Sequence, residues 1–325
     1  MKTGRIVSLV CFSFFCFLSA PMAMEAGYPT RSIEIVVGMA PGGGADLGTR
    51  MLAENSKKDL GQEVVVVNKP GAMYKIAYTL VSKAKPDGYT LGGGSDPSIT
   101  LGPHQEKMPY GPEDFTYVSQ FGTLTQGFVV QPDSPFKNVK DVVEFARANP
   151  DKLTVATLGT GGFSHMTIEA LAVLENLKVR LVPFAGAAPA ATALLGGHVM
   201  MTSTSFTGFA PFLKAKKLRL LAVASEKRRE NYPDAPTLRE LGYTSLVFDS
   251  YHIIIGPKNM EKAMVTKLAD AFKKAMESPN FIKINQDLEM WERNPLFGDD
   301  LKELIFRRYK QNGEIVKKLG LTIKH

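Results

Sequence analysis

Twice in this chain a short β-type run breaks on a cluster of glycines and resumes as a helix. The first instance runs from Ile33-Glu34-Ile35-Val36-Val37 through Pro41-Gly42-Gly43-Gly44 to a helix expected from about Ala45 to Leu60. The second runs from Leu153–Thr157 through Gly159-Thr160-Gly161-Gly162 to a helix expected from Ser164 to Leu174. Glycines let a backbone turn sharply and bring bare N–H groups close to another molecule. Around the first unit, Val64-Val65-Val66-Val67 is almost wholly apolar, as a strand buried on both faces is, and Tyr89-Thr90-Leu91 reads as a third strand after a helix near Ile76–Ser82. Strand, helix, strand, helix, strand at this spacing specifies an α/β fold with parallel-rich sheets and helices on both faces. With 325 residues, the chain exceeds what one core usually serves, so two lobes are expected.

The pattern also says how the lobes connect. Two extended segments, Gly127–Gln131 and Val247–Ile255, bracket the second unit, and helices follow at Met260–Met276, Phe281–Leu288 and Leu301–Leu319. The economical layout is one lobe inserted into the other: residues 27–128 and 252–325 form the first lobe, 129–251 the second, and the bracketing segments cross as hinge strands. Ligands of such sheets sit beyond the carboxyl ends of the strands, where both glycine loops lie, so the loops are expected to face one cleft.

The first 26 residues read as a removable export signal. Lys2 and Arg5 precede an apolar run from Ile6 to about Ala20, then small residues with cleavage after Ala23 or Ala26. The run is short for a spanning helix, which needs ~20 apolar residues. Both cysteines, Cys11 and Cys16, fall inside it. The mature chain is therefore expected to be exported and periplasmic, with no disulfide and no thiol chemistry. The formal charge of +7 suits anions in general without singling out nucleic acid, and none is expected as a partner.

Each glycine loop ends at a helix start, whose positive end favours an anion, a carboxylate above all. In the first, Pro41, Gly42, Gly43 and Gly44 are candidate contacts, and Asp46 either caps the helix or turns to the cleft. In the second the candidates are Gly159, Thr160, Gly161, Gly162, Phe163, Ser164 and His165, with Ser164 either an N-cap or a ligand contact. Gly43 and Gly161 are expected to tolerate no side chain. No phosphate-loop ending or dinucleotide glycine spacing is present. His104, His198, His252 and His325 are scattered, so no metal and no cofactor are expected. A Ser164–His165 hydrolase lacks the Gly-x-Ser-x-Gly pattern of a nucleophile elbow.

Further motifs occur in order: Tyr28-Pro29, Asn68-Lys69-Pro70-Gly71-Ala72, Lys85 to Leu91, Pro109-Tyr110, Val182 to Gly186, Leu194 to Gly197, Lys217-Leu218-Arg219 and Pro233 to Thr237. With the two glycine loops they make the whole mature chain resemble the solute receptors of tripartite tricarboxylate transporters, the Bug or TctC-like family. The resemblance implies a two-lobed "Venus flytrap" (type 2-like) that closes on a small organic carboxylate, held largely through backbone amides of the two loops, and that hands it to membrane permease subunits as a monomer. It also implies contacts from Phe184, Thr204, Ser205 and Tyr251. Departures bear on the ligand. Where the family usually has two glycines and an asparagine stand Met73, Tyr74 and Lys75; where it commonly has Asp-Asn stand Thr204-Ser205. Phe163 fills a position usually small, and Tyr251 replaces a common tryptophan. These departures argue against an amino acid and towards an acid with an apolar or aromatic body. Lys75 either faces the cleft and pairs with a second carboxylate or is solvated on a helix face. The rival readings are a carboxylate sensor reporting to a membrane kinase and the secreted Ser/His hydrolase.

Overall fold

The computed structural model describes residues 27–321, apart from residues 160, 161, 226, 247, 248 and 291. The expected export signal, residues 1–26, lies outside the described residues, as do Thr160 and Gly161. The chain opens with β1 (Ile33–Val37), α1 (Gly44–Leu60), β2 (Val64–Asn68), α2 (Lys75–Ser82) and β3 (Thr90–Ser95). Two short helical turns, α3 (Pro97–Thr100) and α4 (Gly102–Gln105), lead to β4 (Phe115–Leu124) and β5 (Gln126–Val130). Next come α5 (Val139–Ala148), β6 (Thr154–Leu158), α6 (Phe163–Glu175), β7 (Arg180–Phe184), α7 (Ala187–Leu195), β8 (Met201–Ser205), α8 (Phe206–Lys214) and β9 (Arg219–Val223). The chain closes with β10 (Ser250–Pro257), α9 (Lys262–Met276), α10 (Pro279–Asp287) and α11 (Gly298–Leu319). The expected two-lobed α/β architecture of periplasmic binding proteins is the one observed.

Both lobes are five-stranded sheets on one plan. The first has the order β2-β1-β3-β10-β4, with β1 parallel to β2 and β3 and with β10 antiparallel to its neighbours. The second has the order β7-β6-β8-β5-β9, with β6 parallel to β7 and β8 and with β5 antiparallel to its neighbours. The strand in each antiparallel slot is the one the chain enters on arriving from the other lobe. This revises the hinge: β5 and β10 are interior strands of one sheet each, not strands shared between lobes. The chain leaves the first sheet at Leu124 and enters the second at Gln126, so Thr125 alone spans the crossing, three residues before the expected boundary.

Side-chain alternation sorts the cores. On β10, Ile254 packs with Leu52 and Phe272 on one face of the first sheet, while Ile253 and Ile255 pack with Tyr78 and Leu301 on the other. On β5, Phe128 and Val130 face one core of the second sheet and Val129 the other. Period-2 alternation with both faces covered requires this. On α1 the buried face carries Gly48, Thr49, Leu52, Ala53, Ser56 and Leu60, whereas Leu47 and Met51 are half-buried flanks. Small residues hold the centre because the Phe121 ring presses there: a methyl on Gly48 would come within 2.8 Å of it.

Among the described residues, helix α11 and a cluster around Glu289 both tie the lobes together. Helix α11 was expected to belong wholly to the first lobe, yet it straddles both. Leu301, Leu304 and Ile305 join a core of the first sheet, and Val316, with Leu321 just beyond the helix, joins a core of the second. Midway, Arg308 donates to the Asp96 carboxylate at 3.2 Å and to the Asp249 carbonyl, and lies over the Tyr251 and Phe163 rings. Elsewhere the buried Glu289, just past α10, accepts from Arg229 at 3.1 Å and Asn231 at 2.9 Å of the second lobe. Among the described residues no helix is long and apolar enough to cross a membrane.

Candidate functional site

The strands β1, β6, β7 and β8 each end in a turn that starts a helix, and those four starts line one cavity of about 300 Å³ between the sheets. Gly42, Gly43, Gly44 and Ala45 lead into α1, Phe163 and Ser164 open α6, Ala185 to Pro189 carry the start of α7, and Ser205 and Thr207 that of α8. The first N–H groups of a helix have no partner within it, and each helix start carries roughly half a positive charge. None of the four caps, Gly43, Gly162, Gly186 and Ser205, closes its helix with a side-chain hydrogen bond. Among the described lining residues there is no Asp, Glu, Lys or Arg. The positive potential of the cavity is therefore peptide potential, suited to an anion whose remainder meets an apolar wall.

The first loop is braced from behind. Asp46, 2 % exposed, does not line the cavity. Its carboxylate accepts from the Gly42 N–H at 2.9 Å, from Arg50 Nε at 3.0 Å and from Asn68 at 2.9 Å. Burial works to raise its pKa, but these donors outweigh burial and hold the carboxyl below its usual range. Gly42 has φ +86°, a conformation that favours glycine. At Gly44 a methyl would come within 2.7 Å of Met290 Sδ and 2.9 Å of Thr207 Cγ2, whereas at Gly43 it would meet only the Ala40 carbonyl at 3.9 Å. The intolerance expected of Gly43 therefore falls on Gly44.

In the second loop the Leu158 N–H donates to Ser164 Oγ at 2.7 Å, so this hydroxyl secures the turn rather than capping α6. His165 does not line the cavity, and its Nε2 lies 2.9 Å from Glu169 Oε1. Ser164 and His165 thus engage different partners. Gly159, Gly162 and Phe184 line a second cavity, which adjoins the first. Ser205 faces the first cavity, with its Oγ 2.8 Å from Thr207 Oγ1, but Thr204 is buried in β8 and bonds Thr202. Tyr251 does not line the cavity either: its ring lies under the Arg308 guanidinium, and burial pushes its hydroxyl up to about 12. Lys75 pairs with Glu106 at 2.9 Å, so its charge is met within the protein.

Several lining residues were not foreseen from the sequence. Gln126 enters from the crossing and accepts from Thr167 Oγ1 at 3.0 Å through its Oε1. Ser95 and Ser250 sit on neighbouring strands, and His252 beside them is 2 % exposed against the Phe121 ring. Burial pushes this imidazole down to about 3, so it is neutral at ordinary pH. The starts of α7 and α8 also wall this cavity; their signal is the position of each directly after a strand, and among their lining residues the resemblance implies Ser205. Among the described residues no group of three His, Cys, Asp or Glu side chains forms a metal site.

Comparison with known proteins gives the following. The family model described as "Tripartite tricarboxylate transporter family receptor" matches residues 49–321. The chain is 36% identical over 298 residues to the "UPF0065 protein in gbd 5'region" of Cupriavidus necator, covering 91% of this chain and 89% of that protein. It is similar to the solved periplasmic binding protein BugD, with TM-score 0.81 and 29% identity over 91% of this chain and 100% of that one. It is also similar to MatC from Rhodopseudomonas palustris with bound malate, with TM-score 0.78 and 26% identity over 89% of this chain and 100% of that one.

Proposed function

Because the chain belongs to the tripartite tricarboxylate transporter receptor family, we propose that it is a periplasmic receptor that captures a small organic carboxylate between its lobes and delivers it to membrane permease subunits. The observation that carries this reading is the convergence of four helix starts on one cavity whose described walls hold no charged side chain. A carboxylate has one charge, several acceptor sites and a body to bury. Backbone N–H groups at helix starts supply charge-assisted hydrogen bonds, roughly twice as strong as neutral ones, and the methionine, leucine and phenylalanine walls take the body. Because the helix starts come from both lobes, the anion interacts more strongly with the closed pair than with separated lobes, and that differential affinity drives closure. MatC with bound malate is a relative whose cargo is of this chemical class.

Against the hydrolase alternative stand the Ser164 hydroxyl, which accepts from the Leu158 amide, and the His165 ring, which pairs with Glu169. The test is calorimetry with small organic acids and their methyl esters. Binding of an acid with at least about a hundredfold loss for its ester, as expected when a desolvated site's charged partner is replaced, supports the reading. Equal affinity for acid and ester sinks it. Loss of uptake of that acid in a strain lacking the receptor tests the delivery step.

A further inference from the structure

We propose that Met73 divides the interlobe cleft into two chambers and sets the length of cargo the receptor accepts; this deepens the carboxylate reading and rests on it. The two adjoining cavities, about 300 Å³ and about 640 Å³, share Met39, Ala40, Met73, Tyr74, Ser95 and Ala185 among their walls. Met73 belongs to the first lobe but lies against the glycine loop of the second. A methyl on Gly159 would come within 3.0 Å of Met73 Sδ, and one on Gly162 within 2.8 Å of Met73 Cε. The thioether thus fills the gap between the lobes where the inner chamber meets the outer one.

This placement is enforced. Ala72, Met73 and Tyr74 have φ of 44°, 49° and 71°, three consecutive non-glycine residues in the left-handed region, a conformation that persists only where the surroundings over-determine it. What over-determines it is Tyr74. Its ring is buried over the first sheet, stacks on Tyr78 with centroids 5.4 Å apart, and occupies a slot that a methyl on Gly38 or Gly94 would obliterate. With Tyr74 locked in the sheet and α2 starting at Lys75, the backbone presents Met73 to the opposite lobe.

The two chambers differ in chemistry. The described walls of the inner chamber contain no charged side chain, so a second ionised carboxylate there would be desolvated without a counter-charge. The outer chamber has Glu106 on its wall, paired with Lys75, and the buried Gln105, whose Nε2 has no hydrogen-bond partner among the described residues. The inner chamber alone therefore suits an acid with one carboxylate and a short apolar body, at the small end of ligand pockets. A longer body or a second acid group has to pass Met73.

The test is calorimetry on the full receptor and its Met73→Gly and Met73→Leu variants, with butanoate, hexanoate and octanoate as one probe series and succinate, adipate and suberate as the other. In the unmodified receptor, affinity is expected to fall with length and with the second acid group. Met73→Gly suits the positive φ and should melt no lower than the parent. It is expected to gain about tenfold or more for octanoate and suberate, the scale of a few methylenes accommodated or refused, with little change for butanoate, while Met73→Leu keeps the parent's order. A uniform change across both series in Met73→Gly, or none, overturns the role of Met73 while leaving carboxylate capture intact. Binding of no acid by either protein overturns the carboxylate reading, and this inference with it.

Discussion

In the first lobe a carboxylate ties the glycine loop down: the Gly42 N–H donates to Asp46, which Arg50 and Asn68 hold in turn. In the second lobe a hydroxyl does the corresponding work, as the Leu158 N–H donates to Ser164. The two loops occupy equivalent places in two sheets of the same strand order, so what differs is the means of securing them. The buried carboxylate holds the first loop through charge-assisted bonds, whereas among the described residues the Ser164 hydroxyl and the Gly159 N–H, which donates to the Phe184 carbonyl at 3.2 Å, hold the second through weaker neutral ones. The first loop is also packed hard from below at Gly44, whereas the atoms nearest Gly159 belong to the Met73 side chain of the opposite lobe. The first half of the site is thus held by charge-assisted bonds and the second by neutral ones.

The largest effect is expected from Gly44→Val. Its side chain would enter space held by Met290, Thr207 and His252, costing about 1–3 kcal/mol as overpacking and abolishing calorimetrically detectable carboxylate binding, because the start of α1 moves. Gly43→Val, with φ −82° and room around it, should change stability by no more than about 0.5 kcal/mol. Equal melting losses in the two variants would remove the distinction between a packed and an open position in the first loop.

Acid should act next. Burial holds His252 at about 3 against an ordinary value of 6.5. Between these values the unfolded chain binds a proton that the folded chain refuses, so stability is full above pH 6.5 and is lost as pH falls. The loss from this one residue is on the order of 2 kcal/mol at pH 5. Thermal melts from pH 7 to 5 should show it, and His252→Gln should flatten the curve; an unchanged slope in that variant would acquit the histidine. Since His252 lies beside Gly44, the acid weakness belongs to the first half of the site.

The smallest contrast sets the two braces against each other. Asp46→Ala leaves the Gly42 amide, Arg50 and Asn68 without that acceptor and should cost about 2–3 kcal/mol, against about 1 kcal/mol for Ser164→Ala. Denaturant melts compare them directly, and a larger loss for Ser164→Ala would reverse the ranking of the two braces.

Much of this was legible in the sequence. The glycine breaks and the helices around Ala187–Leu195 and Phe206–Lys214 carry local signals, and the folded chain keeps them; the apolar run Val64–Val67 is a strand too, but β2 lies at a sheet edge with Val65 exposed, so it is not buried on both faces as expected. What was hidden depends on distant partners. Gly92, Gly93 and Gly94 disguise most of β3, since glycine is a poor strand former; they are there because Ile255, Thr49 and Tyr74 press against them from other elements. Strand β4 mixes Thr116, Ser119 and Gln120 among its apolar residues and gave no strand signal, although it sits at an edge of the first sheet. The sequence leaves Asp46 open between a helix cap and the cleft, and the resemblance implies a contact from Tyr251, because a sequence shows adjacency to a loop but not the side from which a residue approaches it. The meeting of α7 and α8 at the same cavity follows from the order β7-β6-β8, which no local pattern encodes.

The proposed grip, made of main-chain N–H groups, would have a consequence for how receptors on this plan diversify. Every residue but proline supplies the same donor, so a substitution that the fold can house at these helix starts, as at Gly43 but not at Gly44, would leave such a hold on an acid group largely in place. The side chains forming the walls are under no such obligation. A lineage can therefore exchange one nutrient acid for another by redrawing the walls, without first surrendering the means of holding any acid at all.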